Sequence, residues 1–198
     1  MNRKTLLLVT LFVEGGLYLF GLLLMGGASA FQSRFDLSWG GTAYALLLCF
    51  PMFAVLYFAE RTRWRPLAQL REELEEKVIP IFANCKIIDL GMIAFLAGAG
   101  EEVFFRGWIQ NALANKLGIW AGILIASLIF GFAHYLSTTY LIYAFITGIY
   151  LGVIYNTTGN LYIVMAIHAL YDFVALIYLV REGRNGAMGL SSGSDLEV

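Results

Sequence analysis

Long apolar stretches separated by short polar segments dominate this chain. A membrane-spanning helix needs about 20 mostly apolar residues to cross a hydrocarbon core about 30 Å thick. Six stretches approach that length, at residues 5–26, 42–59, 87–113, 119–136, 139–155 and 161–180. The pattern therefore predicts an all-α fold, a polytopic transmembrane bundle of about six spanning helices. The third stretch is long and contains charges, so its helix could break at Gly107 or reach the interface.

The segment between the second and third stretches has a different pattern. Residues 60–78 carry charges of both signs, with Leu67, Leu70 and Leu74 at helical spacing and Trp64 as a candidate interface anchor. This pattern predicts an amphipathic helix along the cytoplasmic surface of the membrane. A solvated helix that merely links two spans is the alternative.

Composition supports an integral membrane protein. Of the 198 residues, 60% are hydrophobic and 14% charged, and the mean hydropathy is +0.74. That is too apolar for an ordinary soluble domain, and the balanced charge gives no reason to expect a nucleic-acid partner. We expect one transmembrane domain over residues 1–188, with residues 189–198 a small, polar linker tail.

Cations are distributed unevenly along the predicted topology. In a six-span arrangement one side carries Arg3, Lys4, Arg61, Arg63, Arg65, Arg71, Lys77, Arg181 and Arg184. The other side carries Arg34 and Lys116. The positive-inside rule therefore predicts that both termini are cytoplasmic.

Six ionisable residues lie inside three of the apolar stretches, the third, fourth and sixth: Glu101, Glu102, Arg106, His134, His168 and Asp172. A charge at the centre of a spanning helix costs about 2.5–3.5 kcal/mol, so four unpaired charges would oppose insertion by roughly 10 kcal/mol. Ionisable residues at such positions are by default candidates for a functional site.

The third stretch contains an acidic pair followed by an arginine. Helical i, i+4 spacing places Arg106 beside Glu102, while Glu101 points to a different face. A structural ion pair would explain Glu102 and Arg106 but leaves Glu101 free to react. The small residues at 97–100 allow close approach of a neighbouring helix.

Two histidines follow on later stretches. In a hairpin turning near Gly118, Glu101 and His134 lie at similar depth, roughly 25 Å from the turn. His168 and Asp172 share a helix face, where Asp172 could fix the tautomer of His168. The turn before the last stretch, however, puts His168 only about 10–15 Å deep, which predicts a mismatch unless helices are tilted or broken.

A free carboxylate near a histidine is what activation of water requires. No serine or cysteine is placed as a nucleophile beside these groups, which disfavours a covalent mechanism. Glu101, Glu102, His134 and His168 could instead bind zinc, and the spacing does not decide between the two chemistries.

Three motifs in this order resemble the CAAX-processing and bacteriocin-processing (CPBP) family of intramembrane endopeptidases. They are Glu101-Glu102-x-x-x-Arg106, Phe130-x-x-x-His134 and His168-x-x-x-Asp172, within a catalytic core of about 91–180. The resemblance implies a type II CAAX prenyl protease-like enzyme that acts on a membrane-associated peptide or protein, with or without an attached lipid.

The resemblance also implies roles for individual residues. Glu101 and His134 would activate the water, His168 and Asp172 would face the oxyanion, and Arg106 would orient Glu102. We expect a metal-free, glutamate-dependent enzyme without a cofactor. In a zinc-dependent version Glu101, His134 and His168 would be the ligands.

One departure affects these roles. The last motif position is often asparagine in the family and is Asp172 here. An ionised aspartate donates no hydrogen bond to an oxyanion, so Asp172 would have to be protonated or would only orient His168.

Two alternatives come from other classes of protein. Intramembrane acids and histidines also serve proton-coupled transporters, and Glu14 and Asp89 keep that interpretation open. A non-catalytic immunity or scaffold protein could retain the same polar residues. The sequence does not give the oligomeric state or the substrate.

Overall fold

The computed structural model describes the backbone of residues 2–193 and the side chains of residues 2–181. Within that part the fold is all-α, as predicted. The helices are α1 (Arg3–Leu24), α2 (Gly27–Gln32), α3 (Trp39–Arg61), α4 (Arg65–Lys77), α5 (Ile79–Phe82), α6 (Ile87–Glu102), α7 (Asn111–Leu117), α8 (Ile119–Ala133), α9 (Thr138–Thr158) and α10 (Leu161–Gly193). A π-helical segment, Val103–Gln110, joins α6 to α7.

Local sequence explains where several of these helices begin. The Asn2 and Ser38 side chains accept hydrogen bonds from the first turns of α1 and α3, and Ser137 does the same for α9. These caps satisfy amide groups that have no partner inside the helix. Gly159 ends α9 in the left-handed conformation, with φ of 63°, which glycine adopts without steric cost.

Fewer helices are long enough to span a membrane than the sequence predicts. Among the described residues, four pass by length and composition: α1, α3, α9 and the first 21 residues of α10, Leu161–Arg181. A fifth is reached if Arg65–Phe82 and Ile87–Leu117, which pass the same test together across a bend of 110°, are counted as one span. The structure therefore has four or five candidate spans where the sequence predicts about six, because α8 has only 15 residues, about 22 Å against the roughly 30 Å of a hydrocarbon core.

The third stretch does not break at Gly107, one of two possibilities that the sequence leaves open. The chain continues through this residue as the π-helical segment, which begins directly after Glu102. π-Helical turns are rare and occur frequently at functional sites. The Glu101–Glu102 pair therefore lies at the junction between an α-helix and a π-helical segment.

The bundle is organised around α10. This helix packs against α6 and α3, while α6 also packs against α1, and α8 pairs with α9. Buried side chains of α3, α9 and α10 form the largest apolar cluster, which includes Met52, Leu151 and Val164. Large apolar side chains such as Phe12, Leu46 and Phe50 face outwards on α1 and α3, as lipid-facing helices require.

Close helix contacts occur at the predicted small residues. A Cβ on Gly98 would lie 2.8 Å from both the Ala169 nitrogen and the Met165 oxygen of α10. A Cβ on Gly100 would clash with the backbone of Glu14 in α1. The residues next to the acidic pair thus hold α6 tightly between α1 and α10.

The domain limits 1–188 and 91–180 stay predictions. Residues 194–198 of the predicted tail, like the Arg184 side chain, lie outside the described residues.

Candidate active site

Glu102 is the buried anchor of the polar cluster. One of its oxygens, Oε1, accepts hydrogen bonds from Arg106 Nη1 at 2.9 Å and from His168 Nδ1 at 2.8 Å. Arg106 also donates to the carbonyl oxygen of Gly148 on α9 at 3.2 Å. The Glu102 side chain is 0% exposed and that of Arg106 is 2% exposed, so this pair ties α6, α9 and α10 together away from solvent.

Glu101 faces His134 and His168, while the adjacent Glu102 is paired with Arg106. Its Oε2 lies 3.4 Å from His134 Nε2 and 4.0 Å from His168 Nε2. This oxygen is buried and accepts no hydrogen bond from the described residues. The structure therefore brings Glu101, His134 and His168 together around one carboxylate oxygen.

Phe130 positions His134 in two ways. His134 follows α8 as its C-terminal cap, and its Nδ1 lies 2.9 Å from the Phe130 carbonyl oxygen. A carbonyl only accepts, so Nδ1 carries the hydrogen and Nε2 is directed at Glu101. The Phe130 ring also packs 4.3 Å from the His134 ring, centroid to centroid, and lies under the Arg106 guanidinium at 4.8 Å.

The orientation of His168 differs from the prediction. Its Nδ1 contacts Glu102, while Asp172 Oδ2 lies 3.4 Å from the opposite nitrogen, Nε2. Glu102 and Asp172 thus contact opposite nitrogens of the ring, and the shorter contact, with Glu102, was not predicted. The reason is that α6 and α10 approach closely enough at Gly98 to bring Glu102 within hydrogen-bond distance.

The predicted depth mismatch of His168 is wrong as well. Leu161 Cδ1, at the start of α10, lies 3.5 Å from the point where a Cβ on Gly107 would stand. The α9–α10 turn is thus level with Gly107, and the turn after Leu117 lies roughly 15 Å further along the bundle. The two turns lie at different depths in the bundle. His168, seven residues after Leu161, therefore reaches the same depth as Glu101 and His134, which lie sixteen residues from the α7–α8 turn.

A small cavity of about 90 Å³ lies at these groups. Its lining comprises His134, His168 and Asp172 with Met52, Phe130, Tyr140, Tyr143, Ala144, Thr147 and Tyr171. Sequence reasoning missed the three tyrosines. A usable signal existed, because Tyr171 lies one helical turn after His168, and Tyr140 and Tyr143 lie one turn apart on a span.

A second cavity adjoins the first. Its volume is about 260 Å³, and it shares Tyr140, Tyr143, Tyr171 and Asp172 with the smaller one. The rest of its lining is mostly apolar and comes from α3, α4, α5, α6 and α10. Leu67, Leu70 and Leu74, predicted as the apolar face of an interfacial helix, are part of that lining.

The zinc alternative can be compared with these positions. In the described residues, no group of three or more His, Cys, Asp or Glu side chains has an arrangement that could hold a metal ion. Phe130 and Glu102 contact the histidines through Nδ1, and Nε2 of each histidine faces Glu101, an arrangement that metal-binding histidines also have. The zinc alternative therefore stays a prediction, and no step below passes through a metal.

Comparison with known proteins agrees with the motifs. A family described as "Type II CAAX prenyl endopeptidase Rce1-like" matches residues 83–174. This range contains all three motifs and confirms the predicted resemblance: residues 83–174, which hold the polar cluster, are similar to the Rce1-like CAAX endopeptidase family. The family and the apolar helices together make this an integral membrane protein.

The chain is also similar to a Bacillus subtilis (strain 168) protein named "Uncharacterized protein YpbD". The two are 31% identical over 142 residues, which is 69% of this chain and 65% of that protein. The chain thus spans slightly less than two thirds of the length of this relative. No solved structure matches the chain.

Proposed function

We propose that this protein is an intramembrane endopeptidase that hydrolyses a peptide bond by means of water activated by Glu101 and His134. The observation that carries the proposal is the buried, unpartnered Glu101 oxygen 3.4 Å from His134 Nε2, at a cavity inside a membrane bundle. A carboxylate and an imidazole so placed can hold one water and remove its proton.

Each of these side chains has one role in the proposed hydrolysis. Glu101 takes a proton from water as the water oxygen bonds to the scissile carbonyl carbon, and the carbonyl electron pair moves to its oxygen. When the C–N bond breaks, the proton passes to the leaving amine. His134 orients the water. The Glu102–Arg106 pair does not contact the water and instead holds the ring of His168 in place.

The larger cavity supports a membrane-associated substrate. Its mostly apolar lining lies beside the polar cluster and suits an apolar group on the substrate, a lipid or large apolar side chains, close to the scissile bond. A prenylated, CAAX-type C-terminal peptide meets this requirement and is the substrate class of the family. We include that class in the proposal.

The test compares purified wild-type protein with Glu101→Gln and His134→Ala. Substrates are fluorogenic CAAX-type peptides with and without the isoprenoid, and transmembrane peptides. We expect the wild type to cleave at least one of them and each variant to lose about 10²–10⁴-fold in kcat, the usual contribution of an acid or base. Glu76→Gln, on the exposed surface of α4, is the matched control and should retain activity.

Two results would overturn the proposal. Full activity in either Glu101→Gln or His134→Ala would remove these residues from the chemistry. Intact peptides together with a pH-dependent proton flux in liposomes, abolished by the same variants, would make the protein a transporter. The zinc alternative is tested by metal analysis of the active protein and by chelation. Loss of activity on chelation and its recovery on addition of zinc would show that the enzyme needs a zinc ion.

A further inference from the structure

The motif residue next to His168 on the oxyanion side of the candidate site is not a donor. Asp172 lies with Oδ2 3.4 Å from His168 Nε2, and an ionised aspartate accepts hydrogen bonds but donates none. The hydrogen on His168 Nδ1 is already engaged with Glu102. Besides His168 Nε2, a carbonyl oxygen that becomes negative during hydrolysis therefore needs a second donor from elsewhere in the cavity.

Two tyrosines supply a hydrogen-bonded pair at this position. The Tyr143 hydroxyl on α9 donates to the Tyr171 hydroxyl on α10. Both residues line the small cavity together with His134, His168 and Asp172. In the described part of the chain the Tyr171 hydroxyl donates to no acceptor, so its hydrogen is available to a ligand in the cavity.

The direction of this pair matters for its strength as a donor. A hydroxyl that accepts a hydrogen bond is polarised, and its own hydrogen becomes a better donor. Tyr171 is the acceptor from Tyr143, so the chain of two hydroxyls can continue into the cavity. The Tyr171 ring is held as well, because it stacks on Phe53 with centroids 6.2 Å apart and an interplanar angle of 28°.

Other hydroxyls on the cavity wall lack this arrangement. Tyr140 stacks on Tyr143 with centroids 6.3 Å apart, but its hydroxyl accepts no hydrogen bond from the described residues. Of the three tyrosines that line the small cavity, Tyr171 is the closest in sequence to the motif residues, three positions after His168 and next to Asp172. Its hydroxyl is therefore both polarised and carried by the helix that presents His168.

We propose that Tyr171 is a catalytic residue that donates a hydrogen bond to the oxyanion, and that Tyr143 is a positioning residue that orients and polarises the Tyr171 hydroxyl. This inference rests on the proposed hydrolysis. As the water oxygen bonds to the carbonyl carbon, the carbonyl electron pair moves onto oxygen, and Tyr171 O–H binds that oxygen. When this electron pair re-forms the C=O bond, the C–N bond breaks and the amine leaves with the proton held by Glu101.

The test is a set of tyrosine-to-phenylalanine variants assayed on a peptide that the wild type cleaves. We expect Tyr171→Phe to lower kcat by about 10²–10³-fold, the usual loss for one oxyanion donor, with KM unchanged. Binding of a phosphonate transition-state analogue should weaken by a similar factor. Tyr143→Phe should lower kcat less, because the Tyr171 hydroxyl remains, and the double variant should equal Tyr171→Phe alone.

Tyr162→Phe is the matched control. Tyr162 also lies on α10 and also pairs with a hydroxyl of another helix, since its oxygen is 2.8 Å from Thr42 Oγ1. It lines neither cavity, so its kcat should equal that of the wild type. The thermal unfolding midpoint of each variant in detergent, compared with this control, separates a folding defect from a loss of catalysis.

Asp172→Asn provides a rescue that a structural role would not explain. Its amide group donates hydrogen bonds, so Asp172→Asn added to Tyr171→Phe should recover at least part of the lost kcat. Full activity of Tyr171→Phe, or strictly additive losses in the double variant, would overturn the inference while leaving the hydrolase intact. A wild type that cleaves no peptide would instead overturn the proposed function on which the inference depends.

Discussion

Glu101 and Glu102 are identical in chemistry and adjacent in sequence, yet their surroundings differ. Glu102 is fully buried and accepts two charge-assisted hydrogen bonds through one oxygen, from Arg106 and His168. Each of the two acids also has one buried oxygen without a hydrogen-bond partner, and that of Glu101 lies 3.4 Å from His134 Nε2. One acid therefore holds the site together, and the other is free to take part in a reaction.

The buried pair predicts a large loss of stability when its cation is removed. Arg106→Leu would leave Glu102 without its guanidinium in a low-dielectric interior, which costs about 3–5 kcal/mol when one partner of a buried pair is removed. We expect a clear decrease in the free energy of unfolding, measured by denaturant titration in detergent.

Arg3→Leu is the matched comparison for this prediction. Arg3 pairs with Asp89 through two hydrogen bonds of 2.6 Å, but its side chain is 38% exposed. Solvent screens an exposed charge and can replace its hydrogen bonds, so the loss of stability should be smaller. Equal losses in the two variants would contradict the assignment of Glu102 and Arg106 as a buried anchor.

At the scale of helices, the site depends on how closely α6 approaches its neighbours. Glycines at 98 and 100 place the backbone of α6 against α10 and α1. Packing rather than the hydrophobic effect drives helix association in lipid, so small residues at such contacts decide the distance between helices. The separation of Glu101 and Glu102 from His168 follows from that distance.

Gly98→Ala tests this dependence. The new Cβ would lie 2.8 Å from backbone atoms of Met165 and Ala169, which have no room to move without shifting the helix. We expect α6 and α10 to separate, with lower peptidase activity and a lower thermal unfolding midpoint. Gly16→Ala on α1 is the control, because no atom lies within 4 Å of the point where its Cβ would stand. Equal behaviour of the two variants would contradict the dependence on close packing.

The whole molecule has two distinct ends. At one end Arg3 pairs with Asp89, Arg71 donates to the Glu60 carbonyl oxygen, and Tyr178 donates to the Glu60 carboxylate. At the other end the Leu161 amide bonds to the Arg34 carbonyl oxygen, and Asn160 bonds to the backbone of Asp36. The cation-rich segment around α4 belongs to the first end.

That asymmetry predicts the orientation in the membrane. By the positive-inside rule the end with Arg3 and α4 faces the cytoplasm. In intact cells, a membrane-impermeant thiol reagent should label Ser33→Cys and should label Glu75→Cys only after permeabilisation; both positions are exposed. The native Cys49 and Cys85 are buried and should give little background. The reverse labelling pattern would contradict the orientation.

The sequence by itself determined the features that depend on neighbouring residues. Apolar runs of helical length predicted an all-α membrane protein, and i, i+4 spacing predicted the Glu102–Arg106 pair, because the α-helix has a fixed period. The order of the motifs indicated the family. Each of these properties is encoded within one helix or in the order of helices along the chain.

Only the tertiary structure decided how the helices are displaced along one another. The depth mismatch predicted for His168 is absent, and its contact with Glu102 and the Tyr143–Tyr171 pair were missed. Contacts such as His168–Glu102, 66 residues apart in sequence, depend on where each turn lies in the bundle and on how closely the helices pack. Hydrophobic periodicity indicates which residues are apolar, but it carries no information about the axial offset between two spans.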